Sequence, residues 1–231
     1  EVRLNRRLCA NIYEGVVPIS RTEAGLVLES DANVVEYAVK MKQLDEEGFA
    51  DARLERGALT AEDLDRVAAR LQAFYEARTS SPEIAAAGRT ERLRVNTDEN
   101  FAQTESHVGT LLSHPAYETL RYATERFYDQ HALLLNRRRA EGHIVDAHGD
   151  LRLEHVHLTP ERVCIYDCIE FNERFRHIDV ASDVAFLAMD LDLHGRPDLA
   201  NHCVRRMARG LGDPELPRLV DFYKGYRAYV R

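Results

Sequence analysis

Residues 143–171 break a chain whose later two-thirds otherwise follow a mainly helical period. The break is dense in acids and histidines. It runs Val145-Asp146-Ala147-His148-Gly149-Asp150-Leu151-Arg152-Leu153-Glu154-His155-Val156-His157-Leu158, then Thr159-Pro160-Glu161-Arg162, then Val163-Cys164-Ile165-Tyr166-Asp167-Cys168-Ile169. Thr-Pro-Glu-Arg is a turn signal, because proline presets the first central position of a type I turn. The flanking runs then pair as an antiparallel hairpin, with Leu158 facing Val163 and His155 roughly facing Tyr166. That register brings His155 near Asp167 at the open end, and Asp150 enters from the preceding loop. Val163, Ile165, Asp167 and Ile169 share one face of an extended strand. An ionised aspartate on an apolar face is costly unless it is paired or binds a metal. Asp167 is therefore either a functional carboxylate or a structural one that caps a turn or pairs with Arg174 or Arg176. His155 and His157 point to opposite faces of a regular strand, so the two do not share one ion.

The surrounding pattern predicts an α+β fold. A helix is expected over residues 1–10, followed by short strands near 12–19, 26–28 and 34–41. Thr60 is an N-cap, with Asp63 three residues on, and Leu64, Val67, Ala68, Leu71 and Phe74 form a buried stripe. Further helices are expected at 98–112, 115–141, 179–194, 197–210 and 214–231. Segment 80–97 is polar and reads as a loop.

The chain has 231 residues, of which 30% are charged, and a net charge of −8. This speaks against a nucleic-acid surface, which usually shows as a basic stripe, and fits a soluble enzyme. No apolar run approaches the ~18–20 residues needed to cross a bilayer, and the first residues have no signal-peptide h-region. Cys164 and Cys168 would lie about 13 Å apart on an extended strand, beyond the ~7 Å a disulfide allows. Cys9, Cys164, Cys168 and Cys203 therefore read as free thiols of a cytoplasmic protein.

The loop His148-Gly149-Asp150-Leu151-Arg152-Leu153-Glu154-His155, with Asp167 after a hairpin and the Asp179-to-Leu187 segment downstream, resembles the aminoglycoside phosphotransferase and choline kinase-like family. That family has the protein-kinase-like fold. The segments EVRLNRRL, VVPI, EYAVKMKQL, HGDLRLEH, IYDCIEFN and DVASDVAFLAMDL are similar to a bacterial branch of it, whose members are often fused to a C-terminal P-loop domain. The resemblance implies a partial β lobe over residues 1–43 and a helical catalytic lobe over 44–231. It implies transfer of the γ-phosphate of ATP or GTP to a hydroxyl of a small molecule. Asp150 would be the base, Asp167 the Mg²⁺ ligand and Asp183 a support for the loop. His148 and His155 would complete the catalytic set, and Glu1 and Met41 would lie on the nucleotide side. Lys40 and Lys42, near the expected hinge, read as solvated or ribose-side residues.

Two departures stand out. His155 occupies the place of the family's asparagine, and imidazole is a poorer ligand than oxygen for Mg²⁺. It is left to bind metal, a phosphate or Asp150. A Gly-rich loop and strand lysine are also expected upstream of residue 1, which predicts further domains on the same polypeptide. Segment 80–142 is expected to shape the acceptor pocket, with Glu91, Asp98, Glu99 and Glu105 as acidic candidates. Two other readings stay open. One is a nucleotide-binding pseudokinase or regulatory module. The other is a metal-dependent hydrolase using Asp146, His148, Asp150, His155, His157 and Asp167.

Overall fold

The computed structural model describes residues 1–77 and 80–231, and the fold is mixed α+β. It opens with α1 (Val2–Asn5), a single turn rather than the expected ten-residue helix. Tertiary contacts end it. Asn5 Oδ1 accepts from the Cys168 N–H at 2.8 Å, and Arg7 turns inward to an ion pair with Asp146 at 2.9 Å.

Three antiparallel strands follow: β1 (Tyr13–Thr22), β2 (Gly25–Leu28) and β3 (Val34–Met41), in the order β2-β1-β3. Next come α2 (Ala50–Glu55) and α3 (Ala61–Glu76). Thr60 and Asp63 form a reciprocal capping box on α3, and the whole predicted stripe from Leu64 to Phe74 is buried.

The expected loop at 80–97 is instead largely helical. It holds α4 (Pro82–Ala87) and the first part of α5 (Thr90–Thr104). The reason is local. Ser81 caps α4 by accepting from Ile84 N–H, and Pro82 occupies the first turn, where its absent N–H costs nothing. Helix α4 has only six residues, too few to show an apolar period, and α5 is largely polar. A long helix, α6 (His114–Ala140), then leads into short strand β4 (Ile144–Asp146). The predicted hairpin forms from β5 (Val156–Leu158) and β6 (Val163–Ile165), with Leu158 opposite Val163. Strand β7 (His177–Asp179) pairs with β4.

The chain closes with α7 (Val180–Leu193), α8 (Pro197–Gly210) and α9 (Pro217–Val230). Helix α7 is buried at every position from Val180 to Leu191. A helix that is apolar all round belongs in the centre of a core. It packs against α8 and α9 and carries two buried carboxylates, Asp183 and Asp190.

The expectation of four free thiols needs correction. Cys9 and Cys164 are joined, with Cα atoms 4.9 Å apart, and only Cys168 and Cys203 are free. Cys9 reaches β6 from the far end of the sequence, so spacing within the hairpin could not reveal the partner. The cytoplasmic expectation rested on free thiols and loses that support. Among the described residues, no helix is long and apolar enough to cross a membrane.

Beneath β4 and β7, Arg138 is fully buried between two carboxylates. Its Nε and Nη2 donate to Asp179 at 2.6 and 2.7 Å, and its Nη1 donates to Asp213 at 2.9 and 2.8 Å. Removing the cation leaves two buried aspartates without their guanidinium partner. Arg138→Leu is expected to lower unfolding free energy by about 3–5 kcal/mol, read from the midpoint of urea denaturation.

Candidate functional site

The site is built on the loop between β4 and β5, and Asp183 of α7 sets that loop's path. Its two oxygens accept from His148 N–H at 2.8 Å and Gly149 N–H at 2.9 Å, and Tyr75 O–H of α3 donates at 3.0 Å. Asp183 is fully buried, so these three donors stand in for the hydration it gives up. Asp190 lies seven residues, two helical turns, further along the same face, and it accepts from Leu153 N–H at 3.0 Å. Two carboxylates of one helix thus hold both ends of the loop. Gly149 has φ +88°, and a Cβ there would fall 2.8 Å from the Phe175 carbonyl oxygen. Only glycine satisfies both demands.

His148 is fully buried, and its ring does not reach the open face. Its Nδ1 accepts from Asp150 N–H at 3.2 Å, which places the proton on Nε2, and Nε2 donates to the Tyr166 carbonyl at 2.8 Å. Burial pushes this imidazole below the ordinary histidine value, outweighing the nearby Asp183 charge. With both ring nitrogens engaged by backbone groups, the His148 ring is placed to hold the loop and does not line the open face.

Asp150, His155 and Asp167 do come together. His155 sits in a 3₁₀ turn (Leu153–His155) and not on the strand. Its Nδ1–H donates to the Asp150 carbonyl at 2.7 Å and lies 3.6 Å from Asp150 Oδ2. Its Nε2 lies 3.4 Å from Asp167 Oδ2 and 3.5 Å from Arg152 Nη2. One imidazole therefore separates two carboxylates. With Nδ1–H committed to the Asp150 carbonyl, the Nε2 lone pair is left to accept from Arg152 Nη2. Arg152 Nη2 also holds Asp150 Oδ2 at 3.1 Å.

Asp167 does not continue the strand as expected. β6 ends at Ile165, and Asp167 adopts φ +62°. This left-handed backbone is uncommon for a residue with a side chain and often marks a functional turn. Its N–H donates to the Tyr13 hydroxyl at 3.4 Å. Neither of the two arginines considered as structural partners takes it. Arg174 pairs with Glu99, and Arg176 pairs with Asp146. Among the described residues no lysine or arginine pairs with Asp167, and its carboxylate is more than half exposed, at 56%.

Glu1 lies at the edge of this group. Partial burial raises its carboxyl above the ordinary range, and the charges of Glu170 and Asp167 add to that. Met41 touches the site only indirectly, lying opposite Tyr13 across β1 and β3. The six hydrolase ligands are not gathered. Asp146 is held by Arg7 and Arg176, while His157 Nε2 bonds the Asp45 carbonyl at 3.0 Å. Among the described residues, no group of three or more His, Cys, Asp or Glu side chains is arranged to hold a metal by itself.

Asp150 opens on a cavity of about 360 Å³, walled by Asn100, Gln103 and Thr104 of α5, Phe171 and Phe175 of the loop after Asp167, and Phe186, Tyr226 and Arg227 of α7 and α9. Segment 80–142 does contribute, as expected, but through amides and a hydroxyl. Glu91, Asp98 and Glu105 stay outside this cavity, and Glu99 is spent on Arg174. Sequence reasoning missed Asp190, Tyr13, Tyr75 and Arg152. Only Asp190 left a signal, the seven-residue interval from Asp183 within an apolar helix.

No family model matches the chain. It is 29% identical over its whole length to Uncharacterized protein Mb2027c of Mycobacterium bovis and to Uncharacterized protein Rv2004c of Mycobacterium tuberculosis. It spans 45% of the length of these relatives.

The lowered pKa of His148 has a consequence for stability. The unfolded chain binds a proton at this residue at higher pH than the folded chain does. Stability is therefore expected to fall as pH drops below about 6.5, the ordinary histidine value. Urea denaturation between pH 7.5 and pH 5 should show this decline, and it should be shallower in His148→Gln.

Proposed function

We propose that the chain carries the acceptor side and metal side of a nucleotide-dependent phosphotransferase with a kinase-like arrangement. The observation that carries this reading is the pair Asp150 and Asp167, held on either side of His155, with Asp150 opening on a cavity. The sequence resemblance to aminoglycoside phosphotransferase and choline kinase-like proteins supports it.

In this reading a small molecule enters the cavity with a hydroxyl at Asp150. The Asp150 carboxylate orients the hydroxyl and takes its proton as the oxygen attacks the γ-phosphorus of ATP or GTP. The new bond is acceptor oxygen to phosphorus. The bond that breaks joins the γ-phosphorus to the β–γ bridging oxygen, which leaves with the nucleoside diphosphate. Arg152 holds Asp150 in place before the transfer.

The donor set fits Mg²⁺, which is commonly held by one or two protein carboxylates together with phosphate oxygens and water. Asp167 would hold it, being exposed and free of any cation among the described residues. His155 would ligate only as a weaker partner, and its Nε2 equally suits a hydrogen bond to a phosphate oxygen. Bound there, Mg²⁺ would neutralise the phosphate charge. Glu1 and Met41 belong to the nucleotide side, and the remaining phosphate grip belongs to further parts of a longer polypeptide. A nucleotide-binding module without turnover is the second reading, favoured by the imidazole standing where an oxygen ligand would be expected.

In the full-length protein, Asp150→Asn is expected to cut phosphoryl transfer about 10²–10⁴-fold while leaving nucleotide binding intact. Asp167→Ala is expected to weaken Mg-nucleotide binding. Radiolabelled transfer to a panel of sugars, amino sugars and amino alcohols, with calorimetry for binding, checks both. A wild-type rate in Asp150→Asn on a confirmed substrate would remove Asp150 from the mechanism.

A further inference from the structure

The basic residues along α9 and just after it have counter-ions, with one exception. Arg218 pairs with Glu215 at 3.3 Å, Lys224 pairs with Asp192 at 2.7 Å, and Arg231 pairs with Asp190. Arg227 is only 4% exposed, yet among the described residues no carboxylate lies within ion-pairing distance of it. Its Nε donates to the Ser182 hydroxyl at 3.2 Å, and its guanidinium lies 4.9 Å from the centre of the Phe186 ring and 5.5 Å from that of Tyr226. A neutral hydroxyl and two ring faces offset part of the desolvation of a cation, but a buried charge ordinarily also has a counter-ion. The two acids of the site are already engaged: Asp183 by three donors and Asp150 by Arg152.

Arg227 lines the cavity that opens on Asp150. A second, independent observation lies on the opposing helix. Asn100 of α5 lines the same cavity, and its buried Nδ2 has no hydrogen-bond partner. A buried amide donor left unsatisfied calls for a partner. An amide donor without a partner and a guanidinium without a counter-ion thus line one space, and among the described residues that line it Asp150 is the only carboxylate.

We propose that Arg227 and Asn100 form an oxyanion subsite, and that the acceptor of the phosphotransferase reading is an alcohol carrying a carboxylate or phosphate group. This assignment rests on that reading for the word acceptor, but the subsite itself is defined by binding. The acceptor's hydroxyl would lie at Asp150 and its anionic group at Arg227, with an apolar body against Phe186 and Tyr226. Guanidinium is the natural partner for either anion, because its planar donors match two oxygens at once. A polycationic acceptor would bring like charge against Arg227 and is disfavoured.

The test uses matched pairs of probes on the full-length protein: glycerol with glycerate and glycerol 3-phosphate, and glucose with gluconate and glucose 6-phosphate. Calorimetry is expected to give at least tenfold tighter binding for an anionic member than for its neutral partner. Arg227→Gln should abolish that preference, and Arg227→Lys should restore part of it. Arg227 is buried, so each variant's melting temperature is measured alongside. Asn100→Asp, a near-isosteric change on a half-buried helix position, tests the same subsite without touching the arginine. It should weaken the anionic members at least tenfold and leave the neutral ones unchanged. Equal affinity within the pairs, a preference that survives both Arg227→Gln and Asn100→Asp, or no binding by any anionic member overturns the subsite. Two outcomes separate this proposal from the one it rests on. Arg227-dependent anion binding without phosphoryl transfer leaves the subsite standing and sinks the phosphotransferase. Transfer to the neutral members at equal kcat/KM does the reverse.

Discussion

The Asp183 carboxylate, buried in the centre of the molecule, accepts from two successive backbone amides and a tyrosine hydroxyl. An ionised group in that position is tolerable only when fully satisfied, so the loop at His148 and Gly149 has one way to run. That path forces a positive φ at Gly149 and turns the His148 ring inward. It leaves Asp150 as the first side chain able to face outward. Asp190, on the same face of α7, fixes the loop's other end at Leu153. Precision at the site thus comes from a rigid apolar helix behind it, the support a positioned carboxylate needs.

The site in front of that helix is electrostatically divided. Asp150 is tied to Arg152, while Asp167 is exposed and has no lysine or arginine partner among the described residues. His155 stands between them, with Nδ1 toward Asp150 and Nε2 toward Asp167. One carboxylate is suited to a proton from an acceptor, the other to a cation. The cavity beyond Asp150 adds a third character, with aromatic walls, amide donors and a buried guanidinium. Glu1 adds a further carboxylate near Asp167, so acid groups converge where a bound divalent cation would bring compensating positive charge.

Much of this is legible in the sequence. The hairpin register followed from a Thr-Pro-Glu-Arg turn, and the count from that turn put His155 beside Asp167. The helices α3, α7, α8 and α9 followed from their apolar period, and Thr60 and Asp63 announced the start of α3. The misses have physical causes. Helix α4 is too short and α5 too polar for a clear period, although Ser81-Pro82 was a capping signal. The expected first helix shrank because Asn5 and Arg7 serve distant partners. Asp167 leaves the strand through a left-handed turn, which an alternating pattern does not reveal. The Cys9–Cys164 link and the Tyr13 contact to Asp167 join residues more than 150 positions apart. The inward turn of His148 depends on a carboxylate 35 residues further along the chain.

The central claim is that Asp167 and His155 form the metal-nucleotide side of a single site. The most direct measurement is paramagnetic broadening of histidine imidazole resonances in the full-length protein on addition of Mn²⁺ with ATP. The His155 signal should broaden first, because its Nε2 lies 3.4 Å from Asp167, while those of His157 and His202 should persist at the same ligand level. Broadening centred on another histidine, or none at saturating Mn²⁺–ATP, would contradict it.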